Sequence, residues 1–423
     1  MTSIDTPTAE VGSDARTFVA AKNTRLTVCV GGGGVGKTTT AAAFALSLAR
    51  KNRKTLVITV DPARRLADAL GTEVGRRAQQ VQIEGAGGLL FAQMPDTRMS
   101  LDDFMVWMFE DPARRKHVME NPAYRELGDS LAGVHEIITI GLLQAEVDSG
   151  QWDEVVLDTA PSRHALAFLT YPSRMLALLE AKALTWLAAM AGASDPSIVD
   201  NKIKTGSAKS GRSKASLFEW GRSKAEAIMG RVVGIDGLKN LSALFADMVS
   251  VRERWATMAR RTDELFRNPS TQYFIIAAPT GGAIADARYL VENLKRKGLR
   301  PTTIVLNRAE SAPPACETRI IDALQSGNLQ IAKDQANALL TVLRTMQAEH
   351  QSRGDAAHNA IDGLRAITPQ GVRMARLPYV HQSEPSAIVI ALADAWLDAW
   401  LDALHSSDRP HGQSDTGSGI SRI

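Results

Sequence analysis

The feature that most constrains the fold is the stretch GGGGVGKTT at residues 31–39. It fits the pattern G-x-x-x-x-G-K-[ST], in which glycines let the backbone curl so that several N–H groups point inward. Such a loop cradles the phosphates of a nucleotide: Lys37 would reach the β- and γ-phosphates, and the Thr38 hydroxyl would ligate Mg²⁺. The predicted phosphate-binding residues are Gly33, Gly34, Val35, Gly36, Lys37, Thr38 and Thr39.

The sequence on either side of the loop supports this interpretation. The apolar, β-branched run at 26–30 ends directly at the glycines and predicts a strand. Residues 39–50 are rich in Ala and Leu and contain neither Gly nor Pro, which predicts a helix. Because a phosphate loop requires a strand before it and a helix after it, this context disfavours the alternative of an ordinary Gly-rich turn.

Further short apolar runs predict six more strands, at residues 55–60, 89–92, 154–157, 273–277, 303–306 and 372–377. Helical patterns separate most of them, so we predict an α/β fold with a doubly wound, mostly parallel sheet covered on both faces. Ligands of such sheets bind beyond the carboxyl ends of the strands. The loop glycines, Asp61, Asp158 and Asn307 all fall at such ends.

Two stretches depart from this alternation. Residues 99–149 and 172–268 carry long helical patterns and no clear strand, which predicts a helical subdomain inserted into one sheet domain spanning 23–405. Polar tails at 1–22 and 406–423 are predicted to be disordered.

Composition restricts the class of protein. A formal net charge of +3 over 423 residues is small, so no nucleic-acid partner is expected. Two cysteines exclude a disulfide framework and favour a reducing compartment. The N-terminal residues lack the apolar core of a signal peptide and no apolar run has the length of a membrane span, so we expect a cytoplasmic protein that does not itself span the membrane. The eight histidines are scattered and suggest no metal site.

Two aspartates at strand ends are the candidate catalytic carboxylates. Asp61 opens the segment DPA, and Asp158 opens the segment DTAPS. An aspartate that ends an apolar strand beside a phosphate loop is expected to hold Mg²⁺ through water. We assign that role to Asp158 and the orientation of the attacking water to Asp61; the alternative for each is a helix N-cap.

These motifs, in this order, resemble the arsenical pump-driving and tail-anchored-protein-targeting (guided entry) ATPases over residues 25–400. The resemblance implies a deviant Walker A ATPase that binds ATP and Mg²⁺ and works as a dimer with nucleotide between the subunits. By the same resemblance, Asp61 belongs to the first switch and activates water, Lys37 is catalytic, Asp158 belongs to the second switch, and Asn307 and Pro378 contact adenine.

The sequence departs from this family at the start of the loop, where Gly32 replaces a signature lysine that reaches across the dimer. A homodimer would lack this cation in both sites. Arg64 or Arg65 could replace it, or a related partner ATPase that carries the lysine could supply it in a heterodimer. We favour the heterodimer, because ordering an arginine of the first switch costs entropy.

The family's zinc-clamping Cys-x-x-Cys pair and its arsenite-sensing cysteines are also missing. Cys29 lies in the first predicted strand and is interpreted as a core residue, and Cys316 lies in a predicted loop. We therefore expect neither zinc nor arsenite to affect assembly or activity.

The leading hypothesis is an ATP-hydrolysing molecular switch coupled to a hydrophobic client or a membrane-protein partner. The alternative is a weakly hydrolysing, nucleotide-gated scaffold subunit of a heterodimer, and a partitioning-type ATPase is a third, weaker one. Apolar side chains at helical spacing in the second insertion predict either a client groove or ordinary core. They are Met175, Leu176, Leu178, Leu179, Leu184, Trp186, Leu187, Met190, Leu217, Phe218, Trp220, Ile228, Met229, Val232, Val233, Leu244, Phe245 and Met248.

Overall fold

The computed structural model describes residues 24–61, 63–95, 97–122, 124, 134–180, 251–310 and 333–406, with single positions between 240 and 250 and between 322 and 326. The predicted tails at 1–22 and 406–423 lie outside these residues, except that Ser406 is the last residue of a helix; Cys316 and most of the second insertion also lie outside them.

The described residues form one eight-stranded sheet in the order β3-β4-β2-β5-β1-β6-β7-β8. Its strands are β1 (Arg25–Gly31), β2 (Thr55–Thr59), β3 (Gln79–Gln80), β4 (Leu90–Gln93), β5 (Glu154–Asp158), β6 (Gln272–Ala277), β7 (Thr303–Leu306) and β8 (Arg373–Arg376). Every pairing is parallel except that of β3 with β4. The prediction of a mostly parallel sheet is confirmed, and all seven predicted strands are present.

The helices cover both faces of this sheet. They are α1 (Lys37–Arg50), α2 (Arg65–Leu70), α3 (Thr97–Met108), α4 (Pro112–Glu120), α5 (Val134–Asp148), α6 (Ser162–Leu169), α7 (Tyr171–Glu180), α8 (Arg252–Arg267), α9 (Gly281–Arg296), α10 (Lys333–Arg365) and α11 (Pro385–Ser406). Helices α1, α2 and α11 share one apolar core with one face of the sheet, and α3, α5, α8, α9 and the second half of α10 share another core with the opposite face. The doubly wound arrangement is therefore confirmed.

Alternation along the strands sends neighbouring side chains to opposite cores. In β1, Val28 belongs to one core and Cys29, fully buried, belongs to the other, which confirms Cys29 as a core residue. The core beneath α1 is centred on aromatic rings: the centroid of Phe44 lies 4.8 Å from that of Phe274 and 5.2 Å from that of Trp396. This packing fixes α1, and with it the loop from which α1 starts.

The helices of the two insertions pack on each other, since α8 contacts α7 and α5, and α3 contacts α5. Met175, Leu179 and Leu244, which were candidates for a groove, are buried members of the core. Among the helices in the described part of the chain, none combines the length and apolar character needed to cross a bilayer.

The register of the central strands sets the position of the strand-end aspartate. Cys29 of β1 and Thr59 of β2 are both paired with Asp158, the last residue of β5. Asp158 therefore lies between two neighbouring strand ends, directly beside the point where β1 continues into the glycine-rich loop.

Candidate functional site

The loop at 31–36 turns sharply into α1. Gly34 and Gly36 have φ angles of 74° and 85°, in the left-handed region that favours glycine. Helix α1 begins at Lys37 without a side-chain cap, so its first turn presents backbone N–H groups, the usual anion-binding end of a helix.

Asn307 fastens this loop from the end of β7. Its side chain is buried, and Nδ2 donates a hydrogen bond to the carbonyl oxygen of Val35 at 2.9 Å. A Cβ at Gly36 would collide with the same amide group. Asn307 therefore holds the phosphate loop in shape, which is a different contact from the adenine contact that the resemblance implies for it.

Lys37 is buried at the base of the loop. Only 8% of it is exposed, and Nζ donates to the carbonyl oxygen of Gly32 at 2.7 Å. Burial lowers the pKa of Lys37, and the nearby Asp158 carboxylate opposes that shift. A bound polyphosphate would compensate the ammonium group electrostatically and stabilise its charged form.

Asp158 is fully buried and bridges two hydroxyls. Its Oδ2 accepts hydrogen bonds from Thr38 Oγ1 at 2.8 Å and from Thr59 Oγ1 at 3.1 Å. Burial raises the pKa of Asp158 to about 6, and the Thr38 hydrogen bond and the Lys37 charge oppose the rise. Its Oδ1 is buried without a hydrogen-bond partner among the described residues. A hydroxyl beside a carboxylate with a spare oxygen fits a Mg²⁺ site, because this ion prefers oxygen ligands and retains water.

Asp61 lies just after β2 and makes three polar contacts. Its N–H donates to Thr59 Oγ1 at 3.1 Å, its Oδ1 accepts from Ala63 N at 2.9 Å, and its Oδ2 pairs with Arg65 Nη1 at 3.1 Å. The bond to Ala63 closes an Asx turn. The N-cap of α2 is Arg64 rather than Asp61, so the capping alternative does not apply to Asp61.

These groups line one cavity of roughly 420 Å³. Its lining residues are Gly34, Gly36, Lys37, Thr38, Thr39, Asp61, Arg65, Asp68, Ala69, Thr159, Pro161, Arg308 and Pro385. Pro378 is exposed and outside this lining, although Ala309 N donates to Leu377 O at 2.9 Å and holds its segment beside the end of β7. Sequence reasoning missed Thr59 and Arg308, which carry no motif of their own.

The two candidate arginines point in different directions. Arg65 reaches into the cavity and pairs with Asp61. Nη2 of Arg64 lies 3.7 Å from Oε1 of Glu73, and both side chains are largely exposed. Of the two, only Arg65 is positioned to contact a ligand in the cavity.

Gly32 faces a carboxylate that the sequence did not predict there. A Cβ at Gly32 would collide with Oδ2 of Asp286, on α9. The negative charge of Asp286 also acts on Lys37 and favours its charged form. A larger side chain at position 32 therefore requires Asp286 to move.

The sequence is similar to those of known ATPases. The sequence profile of a family described as Anion-transporting ATPase matches residues 24–205. The chain is 34% identical over 283 residues to "ATPase GET3" of Rhodotorula glutinis, covering 66% of this chain and 69% of that protein. It is 27% identical over 308 residues to "ATPase GET3" of Malassezia globosa, covering 72% of this chain and 79% of that protein.

Proposed function

The chain belongs to the family of anion-transporting ATPases that includes the arsenical pump-driving and guided-entry ATPases, and we propose that it is a dimeric switch. As a member it is an ATPase. In the proposed switch, the hydrolysis of Mg-ATP changes the affinity of the dimer for a hydrophobic client or a membrane-protein partner.

The observation that carries this proposal is the contact between Thr38 Oγ1 and Asp158 Oδ2 at 2.8 Å, at the mouth of a loop that holds Lys37. Lys37 binds the β- and γ-phosphates, and the loop N–H groups orient the chain of phosphates. Thr38 and Asp158 would hold Mg²⁺, which supplies positive charge to the phosphate oxygens. Gly33, Gly34, Val35, Gly36 and Thr39 complete the phosphate contacts, and Asn307 and Pro378 flank the base in the proposed site.

In this proposal Asp61 orients the attacking water. Its carboxylate lies in the same cavity as Lys37 and Thr38. In the present conformation one of its oxygens is bonded to Ala63 and the other to Arg65. Each oxygen keeps a further lone pair for water, and we propose that the ion pair is the resting arrangement, which Arg65 leaves when it contacts phosphate.

The cation missing at Gly32 has two possible sources in the proposal. Arg65 is the better candidate within the chain, since its guanidinium already lines the cavity and can bind phosphate oxygens in a bidentate manner. A related partner that carries the lysine is the other source. We retain the preference for the heterodimer, because Arg65 is 64% exposed and pairs with Asp61, so its transfer to phosphate would break one ion pair to form another.

The alternative of a slowly hydrolysing scaffold subunit rests on the same features. Asp286 adds negative charge near Gly32, where the family has a lysine, and Arg65 neutralises Asp61. The charge of Asp286 acts against stabilising the negative charge that gathers on the transferring phosphoryl group, and the ion pair with Arg65 engages one oxygen of the carboxylate that is proposed to orient water. The scaffold would still bind nucleotide and change its contacts with a partner.

The client surface is proposed to lie on the helical insertions. Val106 and Trp107 of α3 are neighbouring apolar side chains that are 50% and 37% exposed. The guanidinium of Arg254 lies 5.3 Å from the ring of Trp107. Arg254 thus covers part of this apolar surface and would move when a client helix binds.

Native mass spectrometry of the complex from the source cells, together with ATPase rates for that complex and for the isolated chain, tests the proposal. We expect dimers with ATP and Mg²⁺, and turnover that rises when a lysine-bearing partner is added. A chain that stays monomeric in every nucleotide state would refute the dimeric switch. A homodimer from cells with the full complex rate would reject the heterodimer and favour Arg65.

A further inference from the structure

We propose that Glu310, His350 and His381 form a second metal site, which binds a first-row divalent transition-metal ion such as Zn²⁺. These residues lie far along the sequence from the phosphate loop, and their imidazole and carboxylate groups differ from the ligands of that loop. The three residues come from the segment after β7, from α10 and from the segment after β8, so only the fold brings them together.

The potential ligand atoms lie slightly farther apart than the ligands of a bound metal ion do. One potential ligand atom from each of the three side chains lies within 4.8 Å of the other two. Glu310 Oε1 lies 3.6 Å from His381 Nε2 and 3.9 Å from His350 Nε2. Tetrahedral zinc with bonds of about 2.0–2.2 Å places its ligands roughly 3.3–3.6 Å apart. His381 is 60% exposed on a non-helical segment, so the required closure involves a side chain with space to move.

Two buried polar atoms in the cluster lack partners among the described residues. They are Oε2 of Glu310, whose side chain is only 7% exposed, and Nδ1 of His350. A buried polar atom that makes no hydrogen bond destabilises the folded chain. A metal ion held by both oxygens of Glu310 would satisfy Oε2, whereas Nδ1 of His350 would still need a hydrogen-bond acceptor when its Nε2 faces the ion.

A second layer of contacts orients the carboxylate. Arg353 Nη1 donates to Glu310 Oε1 at 3.1 Å, and its Nη2 donates to Glu349 at 3.3 Å. The charge of Arg353 is thus shared between two carboxylates, which reduces its repulsion of a metal ion. Such outer partners commonly fix the orientation of ligands.

The ligand set determines the class of metal. Two imidazoles and one carboxylate suit Zn²⁺ and neighbouring ions, whereas Mg²⁺ prefers oxygen ligands alone. Three protein ligands leave a fourth position for water. Because the ligands join the ends of β7 and β8 to α10, the ion would tie three segments together and stabilise this edge of the sheet. This proposal departs from two expectations of the sequence analysis, that the scattered histidines form no metal site and that zinc has no effect, because only folding brings these residues together.

The test uses the untagged, full-length chain with Cys316→Ser, which removes a thiol that could bind zinc by itself. After dialysis against chelator, zinc is titrated into the protein in the presence of a competing dye. The amount of bound zinc is measured by inductively coupled plasma mass spectrometry. We expect one zinc per chain and a higher unfolding temperature in zinc than in Mg²⁺. His381→Ala should weaken zinc binding roughly 100-fold and remove the thermal shift.

The matched control is His358→Ala, which removes an exposed histidine from α10 that pairs with Asp362 instead. It should bind zinc as the parent chain does. Equal affinity in parent and His381→Ala, or no bound zinc, would overturn the proposal and leave water as the partner of the buried atoms. If a variant misfolds, Co²⁺ bound to the parent chain decides: absence of the intense visible absorption of a tetrahedral site also overturns it.

Discussion

Replacing Asp158 by Asn should change how the stability of the nucleotide-free protein depends on pH. Asp158 is fully buried, and burial raises its pKa from the ordinary value of 3.8 to about 6. The folded chain therefore binds this proton more tightly than the unfolded chain does. Asparagine has nearly the same shape and cannot ionise, so the variant lacks this contribution.

The size and sign of the change in the free energy of unfolding follow from the shift in the pKa of Asp158. Each pKa unit corresponds to 1.36 kcal/mol, so ionising Asp158 in the folded state costs about 3 kcal/mol. Between pH 4 and about 6 the folded state holds more protons than the unfolded state, so stability falls as the pH rises. Above about pH 6 Asp158 is ionised in both states, and the folded state carries the full cost of its ionisation. Because the carboxyl of the unfolded chain is already partly ionised at pH 4, the free energy of unfolding of Asp158→Asn, minus that of the parent, should rise by about 2.4 kcal/mol from pH 4 to pH 7.

A constant offset accompanies this change. Oδ1 of Asp158 lacks a partner among the described residues, so an amide NH₂ placed there would also lack one and cost about 1–3 kcal/mol at every pH. Urea unfolding in EDTA at several pH values separates the two effects, because only the ionisation depends on pH. Asp68→Asn, which removes an exposed carboxylate from the same cavity, is the control. A difference that stays flat between pH 4 and 7 would refute the reasoning.

Three further predictions concern catalysis. Lys37→Ala removes a charge-assisted phosphate contact and should weaken ATP binding strongly; calorimetry that finds unchanged affinity would contradict its role. Asp61→Asn should bind ATP normally and lose turnover, and hydrolysis at the parent rate in saturating Mg²⁺ would count against Asp61 as the residue that orients water. If Arg65 supplies the missing cation, Arg65→Ala should slow the isolated chain roughly 100-fold while the neighbouring Arg64→Ala stays within twofold; faster turnover in Arg65→Ala would show that Arg65 only restrains Asp61.

The parts of the fold that follow local rules were predictable from the sequence. Buried parallel strands are short apolar runs, and each predicted run lies within about two residues of an observed strand. The exception is β3, where Gln79 and Gln80 are exposed and pair antiparallel to β4. Two polar residues at a sheet edge carry no apolar periodicity, because only the neighbouring strand specifies them.

The candidate site was predictable where function has a local signature and not where it depends on contact across the chain. Lys37, Thr38, Asp61 and Asp158 follow from motif and strand end, and their proximity follows from the parallel sheet. The cluster around Glu310 has no such signature. Its histidines come from segments that only tertiary packing brings together, and the same is true of Asp286 beside Gly32.

Asp286 changes how the missing lysine should be understood. A Cβ at position 32 would come too close to Oδ2 of Asp286, which is the free end of a partly exposed side chain on α9 and can rotate away. A lysine at 32 would need Asp286 to rotate away and would then face a carboxylate that competes with phosphate for its ammonium group. Restoring the family's lysine in this chain alone therefore should not restore its effect. In our proposal the cation reaches the phosphates from another direction, either from Arg65 or from a partner subunit.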